Sequence, residues 1–460
     1  MGINSNLGLR SENDGEIEMN QNYDDTIYAV STAPGRGAVA IIRISGNGAQ
    51  KTAELFGLAL PKARRAGLRY LRVGGRTLDR ALVLFFSGPE SFTGEDIIEL
   101  HIHGGKAVQE GVLEVLNSLE GFRPAEPGEF SRRAVVNNRM DLTAAEGIND
   151  LINAQTEAQR AQAFRQAEGG LGRRFDIWTA EILGVCAHIE AYIDFPDELI
   201  PSPIKNDLIK RMEDTLSEMM TYAADGRRGE LLREGLRVAI VGPPNAGKSS
   251  FINWLTDKNT AIVSDRPGTT RDVIEAHLNI GGYPVIVADT AGIRKETDEL
   301  EAEGIRRAKE WSKNAELRIV ILDATKDDIL LKEFKMDKDD LVIVNKVDCV
   351  KEPKGEPSWF YTAITKGHGL QKVAESLEVI TRRKMDVRAA PLMTLQRHRK
   401  ALKISLTSLR RAIRGLQTES NVELVAEDLR TTSASLGQVT GRSDVEDLLD
   451  IIFKEFCIGK

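Results

Sequence analysis

Cysteine is scarce in this chain: Cys186, Cys349 and Cys457 are the only three among 460 residues. They are too few and too scattered for a disulfide framework or a zinc site, and a reducing, cytosolic (cytoplasmic) compartment is expected. No apolar run reaches membrane-spanning length, so no membrane partner is expected. The stretch through Gln21 is polar and acidic and lacks the apolar core of a signal peptide. Gly2 follows Met1, but Asn6 stands where N-myristoylation requires Ser or Thr. Residues 1–22 therefore read as a disordered extension. Positive charge is not in excess either: 62 Lys and Arg face 69 Asp and Glu, a net charge of −7. That excludes a generic polyanion binder, so any nucleic-acid contact must come from a local basic patch or a partner. What remains is an ordinary globular composition, 41% hydrophobic and 28% charged, long enough for about three domains of roughly 150 residues.

Residues 23–142 read as mixed α/β. Short β-rich runs at Thr26–Val30, Val39–Ile44, Arg80–Phe86 and Ile97–His103 are separated by Gly and Pro, and a helix is expected over Ala107–Leu119. Residues 143–235 read as helical. Leu171, Phe175, Trp178, Ile182, Val185, Ile189 and Tyr192 make one apolar stripe, and Ile204, Leu208, Met212, Leu216 and Met219 make another. Residues 236–383 alternate strands and helices as a doubly wound sheet does, with continuous apolar strands at Val238–Val241, Val285–Ala288, Ile319–Leu322 and Leu341–Val344. Residues 384–460 turn helical again, with Leu402, Leu406, Leu409, Ile413 and Leu416 on one face. The economical arrangement is one discontinuous helical bundle with the α/β domain inserted; two independent bundles are the alternative.

The inserted segment carries Gly242-Pro243-Pro244-Asn245-Ala246-Gly247-Lys248-Ser249, which satisfies G-x-x-x-x-G-K-[ST] between a strand and a helix. Its glycines let backbone N–H groups turn toward phosphates. Lys248 supplies a cation to the β- and γ-phosphates and Ser249, followed by Ser250, a Mg²⁺ ligand. Asp289-Thr290-Ala291-Gly292 ends a second apolar strand, where Asp289 would reach Mg²⁺ through water and Gly292 would offer its N–H to the γ-phosphate. Thr269 and Thr270 lie between these motifs, where a switch threonine completes the Mg²⁺ shell. Asn345-Lys346-Val347-Asp348 ends a third: Asp348 can accept two N–H bonds from guanine, Asn345 braces the loop and the Lys346 stem packs over the base. Thr362-Ala363 can present a backbone N–H to the guanine carbonyl. Four motifs in order at strand ends read as a GTP hydrolase. The glutamine that orients water in Ras-like enzymes is missing; Ile293 stands there, and the acidic segment Glu296–Glu303 is the nearest substitute.

Beyond the nucleotide motifs, DTIYAVSTAPGRGAVAIIRISG from Asp25, SFTGEDIIELHIHGG from Ser91, PGEFSRRAVVNNRMDL from Pro127, GTTRD from Gly268 and the final Phe456-Cys457-Ile458-Gly459-Lys460 together resemble the MnmE (TrmE) family of tRNA-modification GTPases. The resemblance implies an N-terminal folate-binding α/β domain, a discontinuous helical domain and an inserted G domain. It implies a homodimer formed through the N-terminal domains, and a heterotetramer with a flavoprotein, MnmG (GidA), that installs an aminomethyl-type group on carbon five of the wobble uridine of certain tRNAs with a tetrahydrofolate as one-carbon donor. It also implies that Asn245 and the loop to Thr270 hold K⁺, that Glu301 orients the attacking water, and that Arg43, Glu99, Arg139 and Lys460 surround the folate. At Arg139 the family more often carries lysine. Cys457 is a candidate for the modification chemistry, though a small buried apolar role is its ordinary fate. His101 and His103 alternate on one strand with no third ligand, which argues against a metal site. Two rivals stand beside this reading: a ribosome-assembly GTPase, which should carry an RNA-binding appendage, and a purely regulatory GTPase switch.

Residues 391–416 contain Arg397, Arg399, Lys400, Lys403, Arg410, Arg411 and Arg414 and no acid. Helical spacing is expected to gather Arg399, Lys403, Arg410 and Arg414 on one face able to follow a phosphate backbone.

Overall fold

A computed structural model describes residues 25–194, 201–224, 227–261, 275–289, 314–326, 340–386, 393–418, 421–443, 446–454 and 456–459. The expected extension 1–22 and the expected site residues Thr269, Thr270, Gly292, Glu301 and Lys460 lie outside them. The chain divides into two compact units, Met1–Asp141 with Val445–Lys460, and Leu142–Asp444.

The first unit is built on β1 (Thr26–Val30), β2 (Val39–Ser45), β3 (Gly67–Val73), β4 (Arg76–Phe86), β5 (Ile97–His103) and β6 (Phe122–Pro124), in the spatial order β3-β4-β5-β2-β1-β6. All neighbours are antiparallel except β1 and β6. Alternation along β2 sends Ala40, Ile42 and Ile44 into a core shared with Leu100, Ile102 and, from the helix Lys106–Asn117, Val112 and Leu116. The same pleat leaves Arg43 on the other face. There Ile27 and Ala29 of β1 pack against Phe130 of the helix Glu129–Val136. Arg133, wholly buried, fastens that helix to the sheet: its guanidinium reaches Asp25 at 2.6 Å and Glu95 and Glu129 at 3.0 Å. Arg123 closes the network on Asp25 and Glu129. Burial alone would raise the Glu129 carboxyl, but Arg123, the Glu126 N–H and Arg133 hold it below the ordinary range.

Val445–Lys460 groups with the first unit, for a packing reason. Phe453 and Phe456 meet edge to face, ring centroids 4.9 Å apart, and a Cβ at Gly128, whose φ is +68°, would collide with the Phe453 carbonyl oxygen and the Phe456 side chain. Ile458 then pairs with Pro127, Gly128 N–H donates to the Cys457 carbonyl, and Ser31 Oγ donates to the Gly459 carbonyl at 3.0 Å.

The second unit carries two cores. One fills a bundle of the helices Gly170–Asp194, Ser202–Ala223, Gln396–Gln417 and Val422–Thr440, and residues from both sides of the inserted segment share it: Phe175, Trp178, Ile182, Leu208 and Met212 meet Leu402, Leu409, Leu429 and Leu436. Each such buried side chain contributes about 1.5–3 kcal/mol, and the indole of Trp178 donates to Glu218 at its exposed rim, 3.1 Å away. The single discontinuous bundle is therefore the arrangement found. The other core lies in a sheet of β7 (Leu236–Val241), β8 (Thr260–Ala261), β9 (Glu275–Ile280), β10 (Tyr283–Asp289), β11 (Leu317–Asp323), β12 (Leu341–Asn345) and β13 (Phe360–Thr362). Their order is β13-β12-β11-β7-β10-β9-β8, with β13 through β10 parallel. The chain leaves β7 toward β10 on one side and crosses to β11 on the other, so the carboxyl end of β7 is a topological switch point, where doubly wound sheets bind ligands.

Candidate functional site

At that switch point β7 opens into Gly242–Gly247 and the helix Lys248–Lys258 begins. Three residues of the loop have positive φ: Gly242 at 148°, Asn245 at 64° and Gly247 at 106°. A Cβ at Gly242 would collide with the Ile321 carbonyl oxygen, and one at Gly247 with the Asn345 amide, so both positions require glycine. The buried Lys248 curls back, its Nζ donating to the carbonyls of Gly242 at 2.9 Å and Pro243 at 2.8 Å. Asn245, Ser249 and Ser250 are exposed beside it, and Ala246 is buried. The first N–H groups of a helix lack intrahelical partners, and with a cation on the same loop such a start can cradle a polyphosphate.

The residues expected beside the base come from the ends of β11, β12 and β13, which lie side by side. Asn345 is buried and donates through Nδ2 to the Ala246 carbonyl at 2.8 Å, while its Oδ1 accepts from Ile364 N–H at 3.1 Å. It thus ties the phosphate loop to the β13 loop. Lys346 takes a left-handed φ of 64° and donates to Asp323 at 2.6 Å. Burial would raise Asp323, but Lys346 and two donors from Thr325 hold it below the usual carboxylate range. Asp323 was missed in sequence; an Asp at a strand end has too many ordinary uses, and only its pairing with Lys346 marks it. Asp348 lies exposed on a 3-10 turn, Val347–Cys349, with Lys366 Nζ 2.9 Å away holding its carboxyl below the usual range. Thr362 is buried and its hydroxyl faces Asn345. The Ala363 N–H donates to the His368 carbonyl at 3.1 Å, because the two residues form a small antiparallel bridge across the loop. Asp289 stands in register with Ile240 near the carboxyl end of β7.

In the first unit, Arg43 and Glu99 are direct cross-strand partners, 2.9 Å apart and 22% and 15% exposed. The Arg43 guanidinium also lies 5.6 Å from the Phe92 ring and 5.8 Å from that of Phe130. A half-buried ion pair bordered by two aromatic rings can present donors, an acceptor and a flat apolar wall to a planar heterocycle. Arg139 reaches Glu90 only at 4.0 Å. His101 sits 3.4 Å from Glu99, and His103 2.7 Å from Asp79. Among the described residues no group of three or more His, Cys, Asp or Glu could hold a metal ion. Cys457 is exposed, not buried. No helix among the described residues is long and apolar enough to cross a membrane.

The basic run divides. Arg397 pairs with the buried Glu146 at 2.6 Å, Arg399 with Glu230 at 2.8 Å and Arg411 with Asp428 at 2.6 Å. Lys400, Lys403, Arg410 and Arg414 are exposed.

Comparison with known proteins places these features together. The profile for the MnmE helical domain matches residues 142–457, and that for the GTP-binding protein TrmE N-terminus matches residues 26–139. A tRNA modification GTPase MnmE of Parvibaculum lavamentivorans is 47% identical over 440 residues, 95% of this chain and 100% of the relative. The protein of that name from Maricaulis maris is 44% identical over 441 residues, 95% of this chain and 99% of its own. That of Rickettsia typhi is 42% identical over 455 residues, 95% and 100% respectively. With both domain profiles and near-complete coverage of such relatives, the chain belongs to the MnmE (TrmE) family of tRNA modification GTPases.

Proposed function

We propose that this chain is a K⁺-dependent GTP hydrolase that works with an MnmG (GidA)-type flavoprotein on carbon five of the wobble uridine of certain tRNAs, forming carboxymethylaminomethyl- or aminomethyl-uridine with a tetrahydrofolate as one-carbon donor. The observation that carries the hydrolase reading is the brace from Asn345 to Ala246, which locks the base-recognition strand end onto the phosphate loop. The names of the relatives support tRNA as the substrate.

In this reading the backbone of Gly242–Gly247 and Lys248 bind the phosphates, and Asp348 accepts from the guanine edge beside the Lys346 stem. Ser249, Thr270 and, through water, Asp289 would hold Mg²⁺, and Asn245 would hold K⁺; bound there, these cations offset charge on the phosphates. Glu301 orients the attacking water that the missing glutamine would otherwise hold. The Arg43–Glu99 pair fits a pterin edge, with Phe92 and Phe130 as its apolar border. Arg139 and Lys460 complete that proposed site, which supplies the one-carbon unit. A homodimer and a cytoplasmic location belong to the same reading.

The cation requirement is the sharpest enzymatic consequence. GTP turnover in Na⁺ at matched ionic strength should fall at least roughly tenfold below that in K⁺, the loss of one well-placed positive group. Equal turnover in the two salts would refute it.

A further inference from the structure

We propose that the outer face of the helix Gln396–Gln417 is an RNA-binding stripe, on which Lys400, Lys403, Arg410 and Arg414 follow the phosphodiester backbone of the tRNA; it rests on the tRNA reading above. A basic run on a helix is ordinarily neutralised by acids on neighbouring helices. Here that pairing takes three of the seven cations and stops. Arg397 is spent on Glu146 and the Gln438 and Val439 carbonyls, Arg399 on Glu230 and the Ala223 carbonyl, and Arg411 on Asp428. Lys400, Lys403, Arg410 and Arg414 are exposed and have no ion-pair partner among the described residues. Of the carboxylates on adjoining helices, Asp428 pairs with Arg411, Glu427 and Glu190 pair with Arg430, and Glu213 accepts from Gln417.

The four left over are aligned. Counting from Lys400 they lie three, ten and fourteen residues on, which at 3.6 residues per turn keeps them within an arc of about 80° and spreads them over about 21 Å. Thr407, exposed between Lys403 and Arg410, turns its hydroxyl onto the Lys403 carbonyl, and the helix contains no acid. Sequence spacing alone assigned Arg399 to this row; the structure replaces it with Lys400. A row of exposed cations without an interrupting carboxylate is complementary to a continuous polyanion. A protein-binding face would present apolar or aromatic anchors, and Ile404 is the one exposed large hydrophobic residue described on this helix. Such contacts position a nucleic acid without reading its sequence.

The test uses the full chain with all four residues changed together, Lys400→Gln, Lys403→Gln, Arg410→Gln and Arg414→Gln. Glutamine preserves helix propensity, and circular dichroism melting confirms that the bundle is intact. Binding of a tRNA transcript is measured across a salt series. Affinity at low salt should fall at least roughly tenfold, and the slope of log K against log salt should become shallower by roughly three, since each of four phosphate contacts contributes about 0.7–0.9. Arg411→Gln, which breaks the Asp428 pair and spares the stripe, should keep a slope near the parent's. If the parent binds tRNA and the fourfold variant matches its affinity and slope, the stripe is overturned while the tRNA reading stands. If the parent fails to bind tRNA even at low salt, both fall. If the variant keeps its tRNA but no longer captures the flavoprotein partner, the face belongs to a protein and the proposal is overturned.

Discussion

Asn345 and Asp348 are three residues apart and do different work. The first is buried, with both ends of its amide satisfied by backbone from two other loops; it shapes the site. The second is an exposed carboxylate on a short turn, held ionised by Lys366 and free to be shared with a ligand. Replacing Asp348 by Asn turns one acceptor into a donor. GTP affinity should drop by about tenfold to a hundredfold, the scale of a hydrogen bond to a charged group, and the preference for GTP over xanthosine triphosphate should shrink. Titration calorimetry with both nucleotides checks this; an unchanged preference would count against Asp348 as the base-reading residue. Asn345, Lys346 and Asp348 are legible in sequence because the motif expected to recognise a base has a fixed spacing at a strand end. Their partners Asp323 and Lys366 were not, because the fold brings them there from separate strands and loops with no such spacing. Arg43 and Glu99 were named through resemblance; that they are cross-strand partners is a matter of register, which no local pattern encodes.

Among the elements, long helices and buried parallel strands were legible because their apolar periods are strong. β3 was not: only Leu71 of its seven residues is buried, and Leu68 and Tyr70 stand exposed. The helix Glu129–Val136 was hidden because its fully buried members include charged Glu129 and Arg133. A second buried charged cluster joins the two halves of the helical bundle. Glu146, on the helix Leu142–Asn153, accepts from Arg397 at 2.6 Å and is 2.9 Å from His398 Nε2, both on the helix Gln396–Gln417. Burial alone would raise the Glu146 carboxyl; Arg397 first, then His398, bring it down to about 2. His398 is itself pushed below its usual value, chiefly by burial. Both shifts mean that the folded state binds protons less readily than the unfolded chain, so acid destabilises it. The His398 contribution begins to be lost as pH falls below the ordinary histidine value. That of Glu146 is complete above about 4.5 and is lost as pH falls toward about 2. Glu146→Gln leaves Arg397 facing a neutral partner and should cost on the order of 3 kcal/mol at pH 7. It should also flatten the dependence of the urea midpoint on pH between about 5 and 3. A variant whose midpoint and acid slope match the parent's would show that the cluster does not hold the halves together.

For the whole molecule, one helical bundle is assembled from segments that the nucleotide domain separates in sequence, and the last residues fold back onto the first unit. Inserting a domain is tolerated because the bundle needs only the two apolar faces of each segment, and those are written in each segment independently. The return of the final segment depends on contacts at Gly128 and Ser31, which local periodicity does not carry. The central claim concerns what the assembled chain does to RNA. Nucleoside mass spectrometry of total tRNA, from cells with this chain deleted and from the same cells re-expressing it, tests that claim most directly. The account predicts that the carbon-five aminomethyl-type substituent of wobble uridine disappears on deletion and returns on re-expression. A nucleoside profile unchanged by deletion would contradict it.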